Sequence, residues 1–209
     1  MNPLGFVLGL APWFLFSVLS HRLGDDSVAI AALVAAALAA VMAWTSRGRG
    51  GVKFLDVAGV VTFGAITIAG LLGGDSLGEW LTNFARGGST LILAGLMLIS
   101  AVTVPFTEQY AKDSVPEDRW ASPLFRATNR KVSAVWGFAV LLMGLGHVVA
   151  GLVDPTTSPS DGTRPADLLL NWVVPIALLV LAGKYTKHAV GAARQQRDHD
   201  EGTSTTISR

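Results

Sequence analysis

The stretch Val28–Lys53, VAIAALVAAALAAVMAWTSRGRGGVK, begins with 19 residues that carry no charge and continues into a loop with three bases. An apolar run of this length is long enough to cross a bilayer as a helix. Its many alanines allow close approach of neighbouring helices. Because short loops rich in Lys and Arg stay in the cytoplasm, this stretch predicts a transmembrane helix that ends at a cytoplasmic loop.

The same alternation of apolar runs and charged loops continues along all 209 residues. Thirteen of the 16 Lys and Arg residues fall in the segments on one side of six apolar stretches, and only Arg22, Arg86 and Arg164 fall on the other. With acids included, the first side carries 13 bases and 8 acids, whereas the second carries 3 bases and 7 acids. We therefore predict an all-α polytopic membrane bundle of six transmembrane helices with both termini in the cytoplasm.

The predicted boundaries follow from where these apolar stretches begin and end. A transmembrane domain covers residues 1–190, and a polar tail without apolar periodicity, residues 191–209, is predicted to be a disordered cytoplasmic segment. Ser122-Pro123 predicts a helix start inside the longest cytoplasmic loop, 107–131. Residues 73–88 are typical of an amphipathic segment in the membrane interface. The predicted spans are 3–19, 28–44, 54–72, 89–106, 132–153 and 166–184.

Composition excludes several kinds of chemistry. The chain is 51% hydrophobic, 15% charged and free of cysteine, so disulfides, thiolate metal sites and cysteine nucleophiles are excluded. The basic clusters are interpreted as topology signals and lipid-headgroup anchors, with the lipid bilayer and no nucleic acid as partner. The sequence has no phosphate-binding glycine loop, GxSxG or HExxH motif. We therefore predict a protein that is not an enzyme, with no catalytic residue, metal site or cofactor.

Three polar residues in or near the spans are functional candidates, because ionisable groups inside membranes are costly. His147 and Asn171 are expected to form hydrogen bonds to neighbouring helices, and Asp56 is expected to be solvated or paired with a base. As an alternative, a path near His147, Asn171 and Pro175 would make the protein a small-solute or ion transporter or channel. A third hypothesis is a haem or quinone protein that uses His21 and His147.

The long inner loop and its flanks resemble the intracellular septation protein A family. The likeness extends along nearly the whole chain, although the family's lysines around the outer-loop tryptophan are missing near Trp80, as in a divergent member. The residues that carry it are Val115-Pro116, Trp120, Asn129, Trp136, Phe138, Gly144 and Gly146, together with Pro12-Trp13-Phe14, Trp44 to Lys53, Thr62-Phe63-Gly64 with Thr67, and Gly74-Asp75 to Trp80.

This resemblance implies a multi-pass protein of the bacterial inner membrane that acts in the cell envelope and septation through protein contacts. The family has no established chemistry, so it implies no catalytic residue. Aromatic and Arg residues are good interface anchors, and the inner loop is expected to expose several of them. They would meet membrane-protein partners or a second copy, or else lie on the lipid headgroups. The candidate docking residues are Tyr110, Trp120, Phe125, Asn129 and Arg130.

Overall fold

The computed structural model describes residues 3–22, 28–47, 51–153 and 168–207, and the regular structure in these ranges is helical, with no strand. The predicted all-α class is confirmed. A 3-10 turn, Glu117–Arg119, lies before α7, and a π-helical turn, Leu169–Val173, leads into α8. The helices are α1 (Pro3–Gly9), α2 (Ala11–Arg22), α3 (Val28–Ser46), α4 (Phe54–Leu72), α5 (Gly74–Val102), α6 (Thr107–Lys112), α7 (Pro123–Val153) and α8 (Val174–Ile207).

Five helices in the described residues are long and apolar enough to cross a membrane, as expected for a multi-pass membrane protein. The first predicted span, 3–19, differs because it is divided into α1 and α2. Pro12 lacks the N–H that a continuous helix needs at this point. The Leu10 N–H instead donates to Val7 O at 3.1 Å, and regular bonding resumes from Phe14 N–H to Leu10 O at 3.0 Å.

Residues 74–88, for which the sequence predicts an amphipathic interfacial segment, form the first half of α5. The turn before them is tight because Gly74 adopts a φ of +67°, which favours glycine. Leu81 and Ala85 are buried against the bundle. One face of this segment therefore belongs to the core, and it continues directly into the predicted fourth span.

The packing of α5 against α7 is the most extensive in the molecule and depends on glycines seven residues apart on α7. A Cβ at Gly137 would lie 2.7 Å from Leu98 Cδ2, and one at Gly144 would lie 2.8 Å from Leu91 Cδ2. At Gly151 a Cβ would lie 2.7 Å from a backbone carbonyl of α5. Because these glycines have no side chain, a residue of α5 packs directly against the α7 backbone at each of them. The two antiparallel helices therefore lie close together.

The disordered tail predicted for residues 191–209 is wrong for most of its length, because α8 continues to Ile207. Residues 192–197 are Ala, Arg and Gln, which have good helix propensity, and the stretch to Ile207 contains no proline. Helix formation does not require an apolar face when a preceding span already supplies the first turns. Residues 208 and 209 lie outside the described part of the chain.

Candidate functional site

Three segments in or next to the predicted cytoplasmic loops lie at one end of the bundle, which we call the inner end: residues 51–56, 107–131 and 184–197. Lys53 Nζ forms an ion pair with Asp113 at 3.1 Å and donates to Gln109 O at 3.0 Å. Gln109 Oε1 accepts from the Phe54 N–H at 2.7 Å, so the first turn of α4 is capped by α6. The basic loops are therefore parts of one structure and not separate surface turns.

A groove of about 410 Å³ opens at the inner end between the segment 111–132 and residues 190–197 of α8. We call it the inner groove. Its floor is mainly apolar, with polar atoms from Ser122, Thr128 and Asn129, and its rim carries four charged side chains. The lining residues are Ala111, Val115, Asp118, Arg119, Ser122, Leu124, Phe125, Thr128, Asn129, Val132, Val190, Ala193, Arg194 and Arg197.

The rim of the inner groove is basic overall. Among the described residues of its lining, the charged ones are the bases Arg119, Arg194 and Arg197 and the acid Asp118. Arg119 Nε lies 3.9 Å from Asp118 Oδ2, and both side chains are exposed, so this pair contributes little stability. An apolar floor with a net positive rim favours a ligand that combines apolar anchors with negative charge.

Local hydrogen bonds hold the near wall of the groove in place. Ser122 Oγ accepts from the Phe125 N–H at 3.2 Å, which confirms the predicted cap at the start of α7. Trp120 Nε1 donates to Val115 O at 2.8 Å, and the Lys112 ammonium lies 5.1 Å from the Trp120 ring centre. These contacts close the loop 113–122 on itself, so the wall is preorganised.

Only part of the predicted docking set is placed to meet a partner. The expected exposure of Tyr110 and Asn129 is wrong, because 1% and 5% of their surfaces are accessible. Phe125 lines the groove and is half-buried, Trp120 is half-buried within its own loop, and Arg130 is exposed but lies outside the groove lining.

Tyr110 is buried because it completes an aromatic cluster below α6. Its ring packs edge-on against Phe6 at 5.5 Å, and Phe6 in turn lies 4.5 Å from the Trp136 ring. Burial, followed by the negative charges of Asp56 and Asp113, raises the pKa of Tyr110 above its usual range. Asn129 is buried because its side-chain amide donates to Phe125 O at 2.9 Å, and its own carbonyl accepts from Thr107 at 3.0 Å.

Most of the far wall of the groove was missed because Ala193, Arg194 and Arg197 lie in the segment predicted to be disordered, 191–209. Val190, Ala193, Arg194 and Arg197 are spaced at i, i+3, i+4 and i+7, so they share one face of α8. This i, i+3, i+4 and i+7 spacing is visible in the sequence, but it indicates a shared face only if the segment is assigned as a helix.

Asp56 departs from both environments expected for it. It is 2% exposed and therefore not solvated, and the nearby Lys53 ammonium is bound to Asp113 and to Gln109 O. Its Oδ2 accepts a long hydrogen bond of 3.4 Å from Ser46 Oγ. The other oxygen, Oδ1, is buried and has no hydrogen-bond partner among the described residues.

His147 and Asn171 meet inside the bundle. His147 Nδ1 lies 2.6 Å from Asn171 Oδ1, and both residues are 5% exposed. The interhelical hydrogen bond expected for them is confirmed, and it joins α7 to the π-helical turn before Pro175. The side chain of His21 lies outside the described residues, and among those described no group of three or more His, Asp or Glu is placed to hold a metal.

No family model, no curated protein and no solved structure matches this chain. The resemblance to the septation family therefore remains a prediction from the sequence.

Proposed function

We propose that this chain is a non-enzymatic, multi-pass protein of the bacterial inner membrane that binds a protein partner on its cytoplasmic side. The inner groove is the observation that carries the proposal. Its volume of about 410 Å³ is within the range of sites that accept several apolar side chains. Five helices long enough to span a bilayer support the membrane location.

The chemistry of the groove selects an acidic amphipathic helix as the partner. Leu124, Phe125 and Val190 offer apolar contact, as in other grooves that bind a helix through its apolar face. The three rim arginines attract carboxylates on the polar face of that helix. A second copy of this chain is a poor occupant, because a twofold contact at the groove brings the same positive rims together.

We further propose a role in the cell envelope and septation, and this more specific assignment rests on the family resemblance. Residues that carry the resemblance also build the groove: Val115 and Asn129 line it, and Trp120 holds Val115 O at 2.8 Å. A relative that retains this loop would retain the same wall. This overlap supports a docking role for the loop.

Peptide binding to the purified protein in nanodiscs tests the proposal. The probe is a synthetic amphipathic helix with leucines on one face and glutamates on the other, compared with the same helix carrying lysines. We expect the acidic peptide to bind more tightly and to lose affinity as salt is raised. Ala193→Glu, inside the groove, should weaken binding at least tenfold, whereas Ala192→Glu, one residue away and outside its lining, should not. Equal binding of the two peptides, or equal effects of the two substitutions, would refute the proposal.

Transport of a small solute or ion is the second candidate, favoured by the buried His147–Asn171 pair within the spans. Polar groups of this kind mark solute paths in some membrane proteins. In this chain the two side chains bind each other at 2.6 Å, which also suits a purely structural bond. Flux of ions or small solutes into liposomes that contain the protein, lost in His147→Ala, would support transport, and the absence of flux in both would remove it.

A further inference from the structure

Three buried polar atoms at the inner end have no hydrogen-bond partner among the described residues: Asp56 Oδ1, Tyr110 Oη and Trp13 Nε1. They come from α4, α6 and α2. An unsatisfied buried polar group costs about 1–3 kcal/mol, so three such groups in one region require an explanation. They do not belong to the inner groove, which none of them lines.

The packing around these atoms places them along the seam between α4 and the divided first segment. A Cβ at Gly9 would lie 2.7 Å from Tyr110 Oη, and one at Gly59 would lie 3.7 Å from Trp13 Nε1. Gly59 follows Asp56 by three residues and therefore lies on the same side of α4. Because Gly9 has no Cβ, the Tyr110 hydroxyl lies close against its backbone, and Ala39 and Trp13 lie beside Gly59 in the same way.

Among the described residues, no base forms an ion pair with Asp56. Lys53 is one turn away, but its ammonium donates to both oxygens of Asp113 at 3.1 Å and to Gln109 O at 3.0 Å. The Ser46 hydroxyl has one proton, which it can also donate to Ala43 O at 3.1 Å. A buried carboxylate without a counter-charge is strongly disfavoured and becomes neutral by binding a proton.

We propose that Asp56 is a proton-binding site, in which a proton from water at the inner end adds to the carboxylate and is released to the same side. Binding changes the charge of the side chain from −1 to 0 and adds an O–H donor to a region that already contains Tyr110 and Trp13. Lys53 and Asp113 have side chains that are 12% and 29% exposed, so charged groups next to this region are accessible to water.

The charged and titratable groups that face Asp56 are Lys53 on α4 and Tyr110 and Asp113 on or next to α6. Lys53 and Asp113 neutralise each other. Tyr110 keeps its own proton, because burial raises the pKa of the phenol. Asp56 is therefore the group of this cluster to which we assign the change of charge.

Infrared spectroscopy of the protein in nanodiscs tests this site. We expect the carbonyl stretch of a protonated carboxylic acid at neutral pH, with an isotope shift in protein made with labelled aspartate. Asp56→Asn should abolish the band and keep the helical circular dichroism, whereas Asp113→Asn should retain it. Absence of the band in the wild-type protein, lack of the isotope shift, or a band that survives Asp56→Asn would overturn the proposal. The isotope shift is measured on the wild-type protein, so the test stands even if the variant does not fold.

Discussion

Replacing Gly144 by alanine tests whether the glycines of α7 set the distance to α5. The added Cβ would lie 2.8 Å from Leu91 Cδ2, 2.9 Å from Leu91 Cγ and 3.1 Å from Leu91 N. Ordinary carbon contacts are about 3.5–4.0 Å. A new rotamer of Leu91 can relieve the side-chain contacts, but the backbone nitrogen moves only with α5 itself.

The magnitude follows from two opposing effects. Overpacking of a close-packed site costs about 1–3 kcal/mol. Alanine in place of glycine in a helix stabilises it by about 1 kcal/mol. Gly95 on α5 is the matched control, because nothing lies within 4 Å of a Cβ built there. Gly95→Ala therefore has only the favourable effect, and the two variants should differ in free energy of unfolding by about 1–3 kcal/mol.

The assay is equilibrium unfolding in mixed micelles, followed by the fluorescence of tryptophans such as Trp136, which is buried in α7. Gly144→Ala should unfold at a lower denaturing-detergent fraction than Gly95→Ala. If the two alanine variants are equally stable, the close approach of α5 and α7 at Gly144 does not exist as described.

Two further predictions concern the buried polar pair and the topology. Asn171→Leu leaves His147 Nδ1 without its 2.6 Å partner and should lower the free energy of unfolding by about 1–3 kcal/mol; unchanged stability in the same micelle assay would show that the bond contributes nothing. Reporter fusions after Gly50 and at the C-terminus should report the cytoplasm, and one at Ser158 should report the opposite side. A periplasmic signal after Gly50 would reverse the predicted orientation.

Much of the fold was predictable because charge and hydropathy are properties of local segments. The uncharged run of α3 and the bases after it locate a helix and its end without any knowledge of neighbours. The start of α7 was equally predictable, since Ser122 and Pro123 favour a helix start through contacts within its first turn. The break between α1 and α2 was harder to predict, because a proline such as Pro12 kinks some helices and divides others.

The candidate site was harder to predict because burial depends on which segments meet. Tyr110 is an aromatic residue among charges, and nothing local shows that Phe6, about a hundred residues earlier, covers its ring. The glycines of α7 are visible in the sequence, but their partners Leu91 and Leu98 depend on the register of two antiparallel helices. The wall of the groove on α8 was missed because a polar composition was interpreted as disorder.

The length of α8 also has a mechanical consequence. The helix starts at the π-helical turn beside the His147–Asn171 bond and passes the inner groove at Ala193. Nineteen residues separate Val174 from Ala193, so a rigid α-helix spans about 28 Å between them. Pivoting by about 5° at the turn would move the far wall of the groove by about 2.5 Å at this rise per residue. A small rotation of α8 at the π-helical turn would therefore widen or narrow the inner groove, which lies about 28 Å further along the helix.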